Sequence, residues 1–325
     1  MLLYILKRIV SAISVVIVTL VASFALFFLA PTDPAGVICG PRCTPTRLAD
    51  IEQSLNLDEP PLEQIGSYMK GLVVGRDFTS GGVTQHCDAP CMGYSYTLGQ
   101  PVTKLLKQAF PVTLSIVLGG AVVYLSVGIL AGTIAAQRRG TTLDKVTVGT
   151  TLVVNSFPYF VLALLVALYA TFLPQTGYHS FLDNPLLWAS GLVAAWLTLG
   201  LANAAAYTRY SRASMIESLG QDFVRTARSK GVPHRRVVYR HGLRAALTPV
   251  ATIFGIDLAF QLTNAIFTES IFGLPGLGML TLRAFAQYDL PTLLGSVFVG
   301  SVALVLMNLL VDIAYTFLDP RVRLG

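Results

Sequence analysis

The sequence predicts an all-α membrane protein: six transmembrane helices, both chain ends in the cytoplasm, and an extracytoplasmic cap between helices one and two. Three observations carry this reading. First, 54% of the 325 residues are hydrophobic and only 12% are charged, about half the charged share of an ordinary soluble domain. Second, the apolar residues arrive in blocks of roughly 20, enough to cross a bilayer as helix. Third, the basic residues cluster on one side of the alternating connections.

The six blocks are Ile9–Leu29, Phe110–Ala136, Val146–Leu173, Leu186–Ala206, Leu247–Phe267 and Pro291–Leu318. The first follows Lys7 and Arg8, as a signal peptide would. It is longer than a signal core, and a charged, Pro-rich stretch follows without a small-x-small site, so it reads as an uncleaved span. The third is split by Pro158, a break that membrane helices tolerate when neighbours satisfy the freed carbonyl. With the N-terminus inside, the inner segments hold 16 of the 23 Lys and Arg. The net charge of +6 is then mostly this asymmetry and calls for no nucleic-acid partner. The implied location is a membrane crossed several times. The implied units are the first helix at 1–30, an outer segment at 31–109 and a five-helix core at 110–325.

The outer segment begins with turn formers (Pro31, Asp33, Pro34, Gly36). Thr44 offers an N-cap with Pro45 in the first helical position. Leu48, Ile51 and Leu55 then fall on one helical face, and Leu62, Ile65, Met69 and Leu72 form a second amphipathic piece ending near Gly75. All four cysteines lie here, as Cys39-x3-Cys43 and Cys87-x3-Cys91. In an oxidising compartment they read as two disulfides; a four-thiolate zinc site is the alternative, and three connectivities are open. Both pairs lie in turn-rich sequence, the second within Thr79–Met92.

Residues 207–246 form a basic inner connection. Ile216, Leu219, Phe223 and Ala227 make an apolar stripe, decorated by Glu217, Gln221, Arg225 and Arg228. Gly231 with Pro233 is a helix stop. Arg235, Arg236, Arg240 and Arg244 follow, so the segment predicts a helix–turn–helix knuckle. On composition alone it is either a positive-inside connector or a docking element.

The pattern resembles the coupling loop of binding-protein-dependent ABC importer permeases, Glu-Ala-Ala, three residues, Gly and a downstream Pro. Here it stands as Arg225-Thr226-Ala227, three residues, Gly231, with Pro249 downstream. These departures match the dipeptide/oligopeptide/nickel branch, in its first-permease (B-type) form. Further matches are Arg209-x-x-Arg212 with Glu217, Leu57-Asp58-Glu59-Pro60, Gly93-Tyr94-Ser95-Tyr96, Pro275-Gly276-Leu277-Gly278, Asn308 with Asp312, and Leu318-Asp319-Pro320-Arg321. The chain departs from the branch at Thr32, where Gly is usual, and at Thr79–Met92, an apparent insertion carrying Cys87 and Cys91. The favoured expectation is a bridge linking the two cysteine pairs, since a local closure would not explain that insertion.

The resemblance implies one of two membrane-spanning subunits, in the bacterial plasma (inner) membrane, of an importer for di- or oligopeptides. Nickel, glutathione or opines are alternative cargoes. It implies as partners a second homologous permease, two cytoplasmic ATPase subunits, an extracytoplasmic peptide-binding protein and membrane lipid. Asp222, Phe223, Arg225, Thr226, Ala227, Arg228 and Gly231 would form the ATPase-coupling element. No GxxxxGK[ST], HExxH or GxSxG occurs, so the chain reads as a non-enzyme without a cofactor or metal of its own. ATP and Mg would belong to the ATPases.

Polar groups inside spans are costly in hydrocarbon and face a cavity or a partner. Asp257, Gln261 and Asn264 share one helical face, which reads as translocation-pathway lining or as a face toward a partner subunit. Asn155 beside Pro158 reads as a pathway residue or as repair of the proline break. Asn308 and Asp312 share a face and read as structural partners of Arg209 or Arg212. A self-sufficient secondary carrier or channel is the competing class, and the knuckle speaks against it.

Overall fold

The computed structural model describes residues 2–26, 33–40, 43–55, 59–80 and 83–318. Of the motif residues above, Pro31, Thr32, Leu57, Asp58, Asp319, Pro320 and Arg321 lie outside them, as does the side chain of Asp312. The chain divides into two compact units, 1–113 with 275–306, and 114–274 with 307–325.

In the first unit, α1 (Leu2–Phe24) precedes α2 (Pro34–Cys39), α3 (Pro45–Leu55) and α4 (Pro61–Val74). Thr44 caps α3 as its sequence predicts, with its hydroxyl accepting from Arg47 N–H at 3.4 Å. Helix α4 stops at Gly75, where φ is +83°. Its buried arc centres on Ile65, Tyr68, Met69 and Leu72. Leu62, in the first turn of α4, is 83% exposed, a correction to the predicted stripe.

The all-α expectation also needs amending. Strands β1 (Arg76–Ser80) and β2 (Val83–Cys87) form an antiparallel hairpin, and β3 (Tyr94–Ser95) pairs with β4 (Gln100–Pro101). Phe78, Tyr94 and Tyr96 drive this fold by stacking into a shared core with Ile51 and Tyr68. Arg76 lies over the Phe78 ring at 4.6 Å.

The disulfides are local, Cys39–Cys43 and Cys87–Cys91, which corrects the expected link between the pairs. The turn after α2 carries Cys43 N–H to Gly40 O and leaves Cα atoms 5.1 Å apart. The second pair is 5.5 Å apart. Both fall within bridging range, so each cysteine meets its sequence neighbour first.

Helix α12 (Leu277–Ala286) and the start of α13 (Leu290–Leu318) complete the first unit. The buried Asp289 between them accepts from Ser95 Oγ at 2.5 Å and Thr292 Oγ1 at 2.8 Å. Burial raises its carboxyl above the ordinary carboxylate range despite these bonds.

Helix α5 (Val102–Gln137) leads into the second unit, which holds α6 (Thr142–Ser156), α7 (Tyr159–Tyr169), α8 (Pro185–Gly220), α9 (Asp222–Ser229), α10 (His234–Arg236), a π-helix (Val237–Gly242) and α11 (Leu243–Phe272). Pro158 does more than kink the predicted third span: α6 and α7 meet at 93°, because Pro158 lacks the N–H a continuous helix needs. Asn184 starts α8 by accepting from Leu186 and Leu187 N–H at 3.1 Å. Thirty-six residues of α8 span about 54 Å, well beyond a 30 Å hydrocarbon core. Gly128 and Gly132 let α5 approach α8; a Cβ on Gly132 would stand 2.6 Å from Thr208 O.

Among the described residues five helices are long and apolar enough to cross a membrane, or up to seven if each bent pair counts as one span.

Candidate functional site

The knuckle forms as a distinct local structure. Helix α8 ends at Gly220, Gln221 is extended, and α9 restarts at Asp222. Two hydrogen bonds close α9, Gly231 N–H to Arg228 O at 2.9 Å and Val232 N–H to Ala227 O at 3.2 Å. They form a Schellman cap, and Gly231 supplies the left-handed turn at φ +75°. Val232 then packs with Val224, Ala227 and Val237. Asp222 in the first turn and Arg228 in the last complement the helix dipole.

One predicted contact changes. The break at Gln221 resets the helical phase, so Val224 is fully buried while Phe223 is 46% exposed. Asp222, Phe223, Arg225, Thr226 and Arg228 therefore all face outward, with only Ala227 turned in. The predicted positions of α9 thus resolve into one inward anchor and an outward surface. The exposed Arg225–Asp222 pair, 3.4 Å apart, adds little stability. The short helix thus presents one exposed aromatic and two exposed arginines on its outer surface.

The π-helix behind it is a further feature that periodicity did not reveal. Ser218 Oγ donates to Gly242 O at 2.8 Å, and Gly242 sits where a Cβ would come 2.8 Å from Leu219 Cδ2. The wide turn and the missing side chain let this segment press against α8.

A second site lies among α6, α7, α8 and α11. A cavity of about 300 Å³ is lined by Asn155, Tyr159, Asn203, Gln261 and Asn264 with several apolar side chains. Gln261 Nε2 donates to Asn203 Oδ1 at 2.9 Å, and the Tyr159 and Thr268 hydroxyls are 2.7 Å apart. Three of the predicted polar residues, Asn155, Gln261 and Asn264, thus converge. Asp257 does not join them. Its carboxylate accepts from Tyr207 Oη at 2.9 Å, and Tyr207 stacks against Tyr124 with centroids 4.7 Å apart. The polar part of the lining is uncharged: four amides and the Tyr159 hydroxyl.

The two arginines of α8 also depart from expectation. Arg212 grips Asp144 with Nε–Oδ1 at 2.5 Å and Nη2–Oδ2 at 2.7 Å. Arg209 Nη2 lies 2.9 Å from the Asn155 amide oxygen once that amide is oriented toward its donor. Both guanidinium groups therefore reach α6, at its two ends. Asn308 is exposed and meets neither. Spacing along the chain did not mark Asp144 as a partner; the placement of α6 beside α8 does.

Long apolar helices, a capped knuckle and an amide-bearing cavity fit a multi-pass membrane component. Comparison with known proteins agrees. The model for the binding-protein-dependent transport system inner membrane component matches residues 128–324, and its N-terminal companion matches residues 1–117. The chain belongs to this family of permease components. A Brucella abortus (strain 2308) chain named for peptide transport is 36% identical over 323 residues, covering 98% of each chain. The dipeptide transport system permease protein of Escherichia coli K12 is 32% identical over 351 residues, covering 99% of each. Among solved structures, the MetNI methionine ABC transporter in inward-facing conformations shares the fold at TM-score 0.53 and 18% identity, covering 67% of this chain and 97% of that one. The protein is thus a non-catalytic inner-membrane component, and ATP hydrolysis belongs to partner subunits.

Proposed function

We propose that the chain is one of two permease subunits of an ABC importer for di- and oligopeptides. It crosses the membrane six times with both ends in the cytoplasm, and its segment 31–109 forms the extracytoplasmic face that receives a peptide-binding protein. The observation that carries the reading is the Schellman-capped α9 with Phe223, Arg225 and Arg228 outward, at the position of the family's coupling loop. A cytoplasmic ATPase holds this helix, and nucleotide-driven closure of two such ATPases moves it. The ATPases supply ATP and Mg.

The cavity of Asn155, Asn203, Gln261 and Asn264 supports a pathway role in this half of the pore. Amide groups donate and accept equally, so they meet peptide bonds without preferring either charged terminus. A fixed carboxylate would hold the ammonium end and slow release. That makes Asp257 a structural residue on this reading, tied off by Tyr207.

The experiment is uptake into vesicles carrying the complete complex, supplied with binding protein and labelled di- and tripeptides. ATP-dependent peptide accumulation supports the reading. Accumulation of nickel or an opine instead, with no peptide uptake, overturns the cargo assignment.

A further inference from the structure

Arg240 and Arg244 stand one turn apart where the π-helix enters α11. With Phe223, His241, Ala245 and Thr248 they enclose an open cleft of about 370 Å³. No carboxylate lines it, and among the described residues neither guanidinium has an ion-pair partner. Two like charges at this spacing repel each other on a free helix. The π-turn that presents Arg240 and His241 is a geometry found disproportionately at functional positions. Phe223 also lines it, and it is the outward aromatic of α9 itself.

We propose that this cleft seats an acidic side chain of the ATPase subunit that docks on α9, with Arg240 and Arg244 clasping its carboxylate beneath the Phe223 ring. The inference rests on the docking reading above. The chemistry is favourable because a guanidinium meets a carboxylate through paired, charge-assisted hydrogen bonds. A protein partner fits better than a lipid phosphate because one wall belongs to the docking helix. Whatever grips α9 covers the cleft. The cleft then selects the matching ATPase by charge, since a partner lacking the acid would bury unpaired arginines.

The test uses the complete permease complex and the ATPase subunits that copurify with it. A cysteine at Arg228→Cys, outside the cleft, reports whether α9 touches the ATPase by cross-linking. Arg240→Glu with Arg244→Glu should weaken ATPase binding at least tenfold at low salt, and the Gln pair should weaken it less. The difference should shrink at high salt as charges are screened. An acid-to-arginine change in the ATPase should restore binding to the Glu pair. If the Glu pair melts earlier than the parent, Arg240→Gln alone is read in the same way. Cross-linking with ATPase affinity unchanged within twofold would overturn the cleft proposal while leaving docking intact. Absence of any cross-link would sink the docking reading and the proposal with it. An effect seen only in vesicles containing phosphatidylglycerol, and not in phosphatidylcholine, would assign the cleft to a lipid phosphate and overturn the proposal.

Discussion

Arg212 holds Asp144 through both carboxylate oxygens, at 2.5 and 2.7 Å, and Gly140 N–H adds a third bond to the same carboxylate at 2.9 Å. This ties the α5–α6 turn to α8 directly before the apolar stretch of the third span. The guanidinium, then the Gly140 N–H, hold the Asp144 carboxyl at about 2. With Arg209 on Asn155, α6 is clamped at both ends by one helix, the helix that continues to the knuckle.

The clamp predicts a non-additive pair. Asp144→Asn and Arg212→Gln should each lower the melting temperature of the solubilised permease. The double variant should lose little more than either single, because each single already strands the other partner. A folded-state carboxyl held below its unfolded value adds stability above about pH 4 that fades as pH falls through its folded pKa. Asp144→Asn should therefore flatten the acid limb of the melting curve between about pH 4 and 2. Fully additive losses, or an unchanged acid limb, would remove the clamp.

Tyr207→Phe should destabilise the α8–α11 pairing by about 1–3 kcal/mol, by leaving the Asp257 carboxylate without its donor. Asp257→Leu in that background should recover part of the loss. Thermal melting of the two variants checks this. If Asp257→Leu instead abolishes uptake with stability unchanged, the carboxylate belongs to the pathway.

Gly132→Leu should separate α5 from α8, since even a Cβ would meet the Thr208 carbonyl and Ser211. Overpacking of this kind costs about 1–3 kcal/mol. Gly149, with open space around it, is the control: Gly149→Leu should melt within a degree or two of the parent.

The exposed His86 faces Asp77 across the β1–β2 hairpin, and the hydrogen bond to Asp77 raises its pKa above the ordinary histidine value. A raised folded-state value means the pairing stabilises the hairpin below about pH 6.5 and is lost as pH rises through the folded pKa. Histidine titration by NMR should place His86 above 6.5, and Asp77→Asn should lower it. A titration at the ordinary value in the parent would remove the pair.

Much of this architecture was legible because membrane helices announce themselves by length and apolarity, and because caps are local. Thr44-Pro45, Gly75 and Gly231 each did what a few neighbouring residues dictate. What stayed hidden depends on partners distant in sequence. Phe223 and Val224 exchanged roles because one extended residue, Gln221, reset the phase. Asp144 had no mark in the chain until α6 lay beside α8, and Asp257 was separable from Gln261 only once Tyr207 stood over it. The π-helix left no signal in the hydrophobic pattern, since inserting one residue per turn changes the register without changing composition. The cysteines misled because spacing does not encode Cα separation.

The central claim, that the capped knuckle transmits ATPase motion to the pathway, is tested most directly by Gly231→Val in vesicles holding the complete complex. No atom lies within 4 Å of where its Cβ would point, so the effect is one of backbone conformation alone. A non-glycine residue in the left-handed region costs about 1–2 kcal/mol, and β-branching makes it worse. The account predicts at least tenfold lower ATP-driven uptake, with membrane insertion intact and ATP hydrolysis either futile or lost with the ATPase. Gly231→Asn, which tolerates this conformation, should retain most uptake. Normal uptake by Gly231→Val would contradict the account.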